Sequence, residues 1–411
     1  MSRITQVVAD ALGQLISPNS HIAIALSGGA DSMALTLLAQ DWVAQHGGTI
    51  TALTVDHGLR EASAAEASQV AEWMRARGIE HHILTPAHTD ASNNLQEAAR
   101  GWRYEALAEF CRARGILHCL VAQHAGDNRE TVEHNIARGE TADGASGMRR
   151  VRNFRGVRFV RPMLALEHAE IEAFLRERDV VWVNDPSNAD THFARVRARK
   201  MLEQDTVRTR ELDGLIVQHA ASRALRDDAL AEAAMRCVMM SPLGFADMSL
   251  TAWRQLKPLV ASQLLADCIT SIGGSVNRPR GRETARLVAA LDHAFTTRTL
   301  QHCEITLEGD CLRFARERAR VAPALPLRGC GAVIWDRRFS VQYDLPEAEG
   351  YTLGAIGRKA AKQLALPAAT PGLWHLDELV FVPHIGMPQS ASARVSIGFV
   401  PPKPLAAAPF W

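Results

Sequence analysis

Ser27-Gly28-Gly29-Ala30-Asp31-Ser32 is the segment whose residue types and spacing most directly suggest chemistry. It follows the apolar run His21–Leu26 and precedes a helical pattern. Two glycines let a backbone turn through positive φ and approach a ligand without a Cβ clash. Successive N–H groups then face one concavity at the positive end of a helix, which suits phosphate. Ser27 and Ser32 would add hydroxyl donors. Asp31 is out of place beside phosphate unless a cation lies between them, so Mg²⁺ held jointly with a nucleotide is expected there. The chain has no GxxxxGK[ST] and no GxGxxG, which excludes a kinase-type P-loop and disfavours a dinucleotide fold. The plainer alternative is a Gly-rich strand-to-helix turn with no ligand.

The elements around the loop alternate strand and helix. Strands are expected at His21–Leu26, Thr49–Val55, His81–Thr85 and Leu117–Ala122. Helices are expected at Met33–His46, Ala62–Arg77 and Asn94–Arg114, and from about Asp127. That alternation calls for an α/β fold, a parallel doubly wound sheet whose ligands bind beyond the carboxyl ends of its strands. Asp143–Phe159 shows no clear periodicity. Beyond it come a helix at Glu167–Asp179, a short strand at Val180–Val183, a turn at Asp185–Asn188 and a long helical stretch from Arg195 to about Leu230. Helices are expected at Thr251–Ile272 and Glu283–Phe295, and a hairpin at Leu300–Leu307 and Cys311–Ala315. The texture becomes short strands past Val321. Three domains are expected: 1–215 with the loop, a mainly helical 216–321, and a small α+β domain at 322–411.

Bulk composition sets the wider bounds. Of 411 residues, 47% are apolar and 22% charged, ordinary for a soluble globular protein. No run approaches the ~20 apolar residues of a membrane helix, and the first residues do not read as a signal peptide. Seven scattered cysteines without a CxxC pair fit a reducing cytoplasm better than a disulfide framework. Net charge is +1, yet six arginines and no acid lie between Arg149 and Arg161. That run suits either a polyanion contact or a solvated edge.

SGGADS after the first strand resembles the loop of the PP-loop ATP pyrophosphatases. Further segments narrow the resemblance: Val55–Arg60 (VDHGLR), Asn94–Tyr104 (NLQEAARGWRY), Gln123–Thr131 (QHAGDNRET), Arg161–Leu164 (RPML), Asp185–Asn188 (DPSN), and Arg195 with Arg199. In this order they resemble the tRNA(Ile)-lysidine synthase family, closely over about 20–200 and more loosely at Asn277–Leu291 and Leu300–Ala315. The resemblance implies a fold of the adenine-nucleotide α-hydrolase type and an ATP-dependent carbon–nitrogen ligase. Its tRNA partner would be the isoleucine tRNA with a CAU anticodon. O2 of the wobble cytidine would be adenylated with release of pyrophosphate, and free lysine would then attack C2 and expel AMP. Related enzymes are often dimers, so a homodimer is left open. By the same resemblance, Ser27–Ser32 with His57 and His124 would hold ATP, and Asp31 the metal. Asp127 and Glu130, three apart at a helix start and hence on one face, would hold the lysine ammonium, and one would accept its proton. Arg195 and Arg199 would stabilise charge on the α-phosphate or grip the lysine carboxylate. Arg100 and Arg103 share a helix face and join the substrate set, and the Arg149–Arg161 run would contact the tRNA backbone.

Each assignment has a structural alternative: Asp127 as a helix N-cap, His57 and His124 as satisfied histidines, Arg100 and Arg103 as solvated surface. His81 and His82 read as structural. The chain also departs from the family pattern. Gly126 stands where the first of two acids is usual, Val196 where an amide is common, and Gly139–Gly147 is altered. The loss at Gly126 makes Asp31 the expected metal ligand. The rivals are a tRNA thiolase, which would need a poised cysteine, a glutamine-dependent ligase, and a non-enzymatic tRNA-binding protein. Cys111 and Cys119 are expected inside a helix and a strand.

Overall fold

A computed structural model of the chain describes residues 2–56, 61–85, 95–139, 142–183, 199, 201–202, 204–293, 295–345, 350–383, 385 and 394–405. The turn expected at 185–188 lies outside them. The chain divides into two compact units, Met1–Leu225 and Arg226–Trp411.

The first unit begins with α1 (Arg3–Leu15), β1 (His21–Ala25), α2 (Ala30–His46), β2 (Thr49–Val55), α3 (Glu61–Ala76) and β3 (Glu80–Leu84). It continues through α4 (Leu95–Ala113), β4 (His118–Leu120), α5 (Ala125–Ala137), α6 (Ala142–Ala145), β5 (Val151–Phe154), β6 (Val157–Val160) and α7 (His168–Glu177). Helix α8 (Thr206–Cys237) runs across the division. The sheet order is β3-β2-β1-β4-β6-β5. All neighbours pair parallel except β5, which is antiparallel to β6. Strand β1 shows why both faces must be covered. Ile22 and Ile24 pack with Leu35, Leu38 and Phe174 of α2 and α7, whereas Ala23 faces Tyr104 and Leu107 of α4. Apolar side chains cover nearly the whole circumference of α2, as expected for a helix enclosed between β1 and α7.

The structure corrects the sequence reading in four places here. Helix α2 starts at Ala30, not Met33, so Asp31 and Ser32 lie in its first turn. Residues 180–183 form no ladder; the Val183 N–H instead donates to the Gly28 carbonyl at 2.9 Å. The stretch 143–159 contains the β5–β6 hairpin, turned by Arg155 and Gly156 at positive φ. Finally, two of the run's arginines are buried, not presented to a polyanion. Arg155 forks onto Glu105 at 2.9 and 3.0 Å, and Arg161 donates to the Arg149 carbonyl at 2.8 Å and to Gln123 at 2.5 Å.

The second unit has β7 (Val238–Met240), β8 (Ala246–Ser249), α9 (Leu250–Arg254), α10 (Pro258–Gly273), α11 (Gly281–Leu291), β9 (Thr297–Leu300), β10 (Cys303–Glu308) and β11 (Cys311–Arg316). The expected hairpin is β10–β11, shifted along the chain and built into a five-stranded antiparallel sheet, order β7-β8-β11-β10-β9. Pro258 starts a new helix and splits the expected Thr251–Ile272 helix in two. Two small sheets follow. One joins β12 (Leu325–Pro326), β15 (Tyr351–Ala355), β16 (Pro371–His375) and β17 (Glu378–Phe381); the other joins β13 (Cys330–Trp335), β14 (Phe339–Asp344) and β18 (Arg394–Phe399). Helix α12 is Gly357–Leu364.

A buried ionic knot ties these parts together. Asp336 accepts from Arg338 at 2.7 and 3.0 Å, from Arg316 at 3.0 and 3.2 Å, and from the Ala322 N–H at 2.9 Å. Arg338 also donates to the carbonyls of Gly244 and Ile272, and Arg316 to that of Gly273. Burial lowers the Arg338 pKa to about 10 despite the nearby carboxylate. Asp336→Asn keeps the shape and removes the charge both guanidiniums depend on. It should destabilise the second unit by about 3–5 kcal/mol, read as an earlier urea transition. An unchanged transition would show that the knot contributes nothing net.

Candidate functional site

The loop sits where the strand order reverses, between β1 and β4, the place where open α/β sheets bind ligands. Gly28 has φ +84°, and a Cβ there would lie 2.6 Å from Val70 Cγ2 and 3.1 Å from Val183 Cγ2, so both conformation and space require glycine. Gly29 caps α2. Ser32 is buried and turned inward: its hydroxyl donates to the Gly29 carbonyl at 3.0 Å and accepts from the Ser27 N–H at 3.1 Å. Ser27 Oγ lies 3.2 Å from it. Ser32 thus shapes the loop, and Ala30 is buried as well.

Three helices begin at one point. Asp31 is in the first turn of α2, His124 is the N-cap of α5, and His168 is the first residue of α7. His168 Nδ1 lies 3.0 Å from Asp31 Oδ1, and His124 Nε2 lies 3.9 Å from Asp31 Oδ2. The positive ends of three helix dipoles therefore meet where the glycines open a cradle, and an anion there is favoured. His168 was not legible in the sequence; only its position at the start of the helix after Arg161–Leu164 hinted at it.

His124 is buried and its orientation is fixed locally. Its Nδ1 accepts from the Gly126 N–H at 3.0 Å, and its backbone N–H donates to Asp127 Oδ2 at 3.1 Å. Asp127 is thus the third residue of a capping box, not the N-cap. A neutral ring accepting at Nδ1 carries its proton on Nε2, which faces Asp127 Oδ2 at 3.6 Å as well as Asp31. His124 is therefore a donor into the site. A Cβ at Gly126 would lie 2.8 Å from His124 Cε1, so the missing family acid is replaced by space for this ring.

One turn into α5, Glu130 is buried. Burial pushes its carboxyl pKa up, and the bond to Arg199 pulls it back. Arg199 Nε donates to Glu130 Oε1 at 2.6 Å, and Arg199 Nη2 lies 3.8 Å from Asp127 Oδ1. Asp31, His124, Asp127, Glu130 and Arg199 are thereby brought into one line of polar groups, with His168 at its outer end. Arg100 is half-buried and Arg103 exposed on α4, and among the described contacts neither reaches this line. His57 and Arg195 lie outside the described residues. His81 and His82 have structural partners, Thr54 Oγ1 and Glu80 Oε1, each at 2.8 Å.

Asp31, His124 and His168 each offer a donor atom within 4.8 Å of the others. One carboxylate and two imidazoles are a poor set for Mg²⁺, which takes oxygen ligands. Of the three, only Asp31 offers the oxygen that ion prefers. Cys111 and Cys119 are fully buried, and the Cys119 thiol pKa is held well up by the Cys111 thiol beside it and by burial, so neither is a poised nucleophile.

A parallel sheet whose switch point carries SGGADS under three helix N-termini defines a PP-loop nucleotide-binding protein. Residues 1–206 match the PP-loop domain family. A tRNA(Ile)-lysidine synthase of Novosphingobium aromaticivorans is 35% identical over 284 residues, 68% of this chain and 83% of that protein. One of Rhodopseudomonas palustris is 31% identical over 320 residues, covering 75% of this chain and 92% of that protein. One of Orientia tsutsugamushi is 26% identical over 411 residues, 93% of each chain. The chain belongs to the tRNA(Ile)-lysidine synthase family of PP-loop proteins. No helix among the described residues is long and apolar enough to cross a membrane.

The hydrogen bond to Asp31 raises the pKa of His168 above its ordinary 6.5, against the opposing effect of burial. Charged His168 thus contributes stability that is complete below about pH 6.5 and fades as pH climbs through the raised value. Asp31→Asn should move the His168 titration down, followed by NMR of its ring. A titration that stays in place would show that the pair is not coupled.

Proposed function

We propose that the chain uses ATP to join free lysine to C2 of the wobble cytidine in the CAU-anticodon isoleucine tRNA. The observation carrying this reading is the adjacency of a phosphate cradle and a carboxylate pair, with His124 between them. Cytidine O2 attacks the α-phosphorus of ATP held over Ser27–Ser32, and pyrophosphate leaves. Backbone N–H groups and the His124 Nε2–H meet the charge that develops on the phosphate. Bound Mg²⁺ would neutralise phosphate charge, with Asp31 as its protein ligand. The ε-ammonium of lysine sits between Asp127 and Glu130. Glu130, its pKa raised by burial, accepts the proton that frees the amine. The neutral amine attacks C2, and AMP leaves with the former O2.

Arg195, with His57 and the α4 arginines Arg100 and Arg103, completes the proposed nucleotide and substrate set. The division into 1–215, 216–321 and 322–411, with the two later parts gripping tRNA, belongs to the same proposal, as do a cytoplasmic location and a homodimer. A thiolase reading is disfavoured by the burial of Cys111 and Cys119.

Conversion of ATP to AMP and pyrophosphate should require lysine and the tRNA together, and Asp31→Ala should abolish it while tRNA binding stays nearly intact. Turnover of ATP to AMP with no lysine in the tRNA would sink the reading. Loss of tRNA binding in Asp31→Ala would show that the carboxylate serves the RNA. Within the arginine run, exposed Arg150 and half-buried Arg149 and Arg152 are the phosphate candidates, since Arg155 and Arg161 are spent internally and two guanidinium nitrogens of Arg158 are buried. Alanine at those three should weaken tRNA binding and lower its salt slope by up to about three; an unchanged slope would refute the contact.

A further inference from the structure

The two carboxylates assigned to the substrate ammonium already hold a cation. Arg199 makes one short bond, Nε to Glu130 Oε1 at 2.6 Å, and its Nη2 stands off Asp127 at 3.8 Å. We infer that Arg199 is an internal stand-in for the lysine ε-ammonium, which must displace it to bind. The inference rests on the acid pair being the amine site.

Three observations carry it. The Glu130 side chain is only 5% exposed, and a buried carboxylate without a cation is costly, so a partner is needed whenever substrate is away. The bond differs from the two-nitrogen forks that hold other carboxylates of the chain. Arg278 forks onto Asp267 at 2.6 and 2.7 Å, and Arg313 onto Asp247 at 2.7 and 2.9 Å. Arg199 instead binds Glu130 side-on through one nitrogen, leaving Asp127 beyond hydrogen-bond length, and its side chain is 39% exposed. A planar guanidinium in this pose satisfies one acid. An ammonium, with three tetrahedral donors, can bridge both. Exchange thus trades one hydrogen bond for at least two, and releases a charged guanidinium for an anionic group of the substrates. The arrangement also sets specificity, since a neutral side chain has nothing with which to replace Arg199.

The test is calorimetric titration of the full chain with n-pentylamine, which has the ammonium of lysine and no carboxylate. Arg199→Gln and Arg199→Met should each bind it about tenfold more tightly than the unsubstituted protein, and Arg199→Lys, which keeps a tethered cation, should bind it no more tightly than the unsubstituted protein does. Unchanged or weaker binding in both the Gln and Met variants overturns the stand-in. Glu130→Gln separates the two levels of the argument. Loss of n-pentylamine binding in that variant supports the acid pair whatever Arg199 does, and undiminished binding overturns the amine site and the inference with it.

Discussion

Three helices starting at one point is the constraint on which this site depends. Strand β1 delivers the glycine loop and α2, strand β4 delivers His124 and α5, and the chain beyond β6 delivers α7. Because the sheet order reverses between β1 and β4, their outgoing loops diverge to opposite faces and leave a crevice between them. The helix dipoles make that crevice a place for anions. Asp31 sits among them as the one carboxylate of the loop, and the His168 ring lies against it.

The same placement sets the second half of the chemistry. His124 caps α5, Asp127 closes the capping box, and Glu130 follows one turn later on the same face. In the proposed function, the N-cap and first two turns of one helix would supply a donor toward the phosphates and acceptors toward an amine. Burial separates the two acids. Asp127 is partly exposed and spent on the cap, whereas Glu130 is enclosed and its proton affinity is raised. That difference suits Glu130 to take a proton and Asp127 to orient.

Local features were legible in the sequence, and long-range ones were not. The loop was readable because its chemistry lies within six consecutive residues. Asp127 and Glu130 were readable because helical spacing puts them on one face. Helix α2 begins before its apolar pattern does, since Ala30, Asp31 and Ser32 belong to the loop's chemistry as well as to the helix. The β5–β6 hairpin was hidden by its arginines. Arg155 occupies a left-handed turn position and forks onto Glu105, and Arg161 is buried against the Arg149 carbonyl, so residues that look solvated are structural. His168 contacts Asp31 across 137 positions, and no spacing rule connects them. The five-stranded sheet of the second unit was seen only as one hairpin because β7, β8 and β9 are three or four residues long.

In the proposed function, amine transfer runs through Glu130 near the start of α5, and adenylation runs through the loop before α2. Mass spectrometry of the CAU-anticodon isoleucine tRNA, incubated with ATP, lysine and either the unsubstituted protein or Glu130→Gln, tests it most directly. Lysidine is expected with the unsubstituted protein, and adenylated cytidine without lysidine when Glu130 is replaced. Lysidine formed by Glu130→Gln at the unsubstituted rate would contradict it.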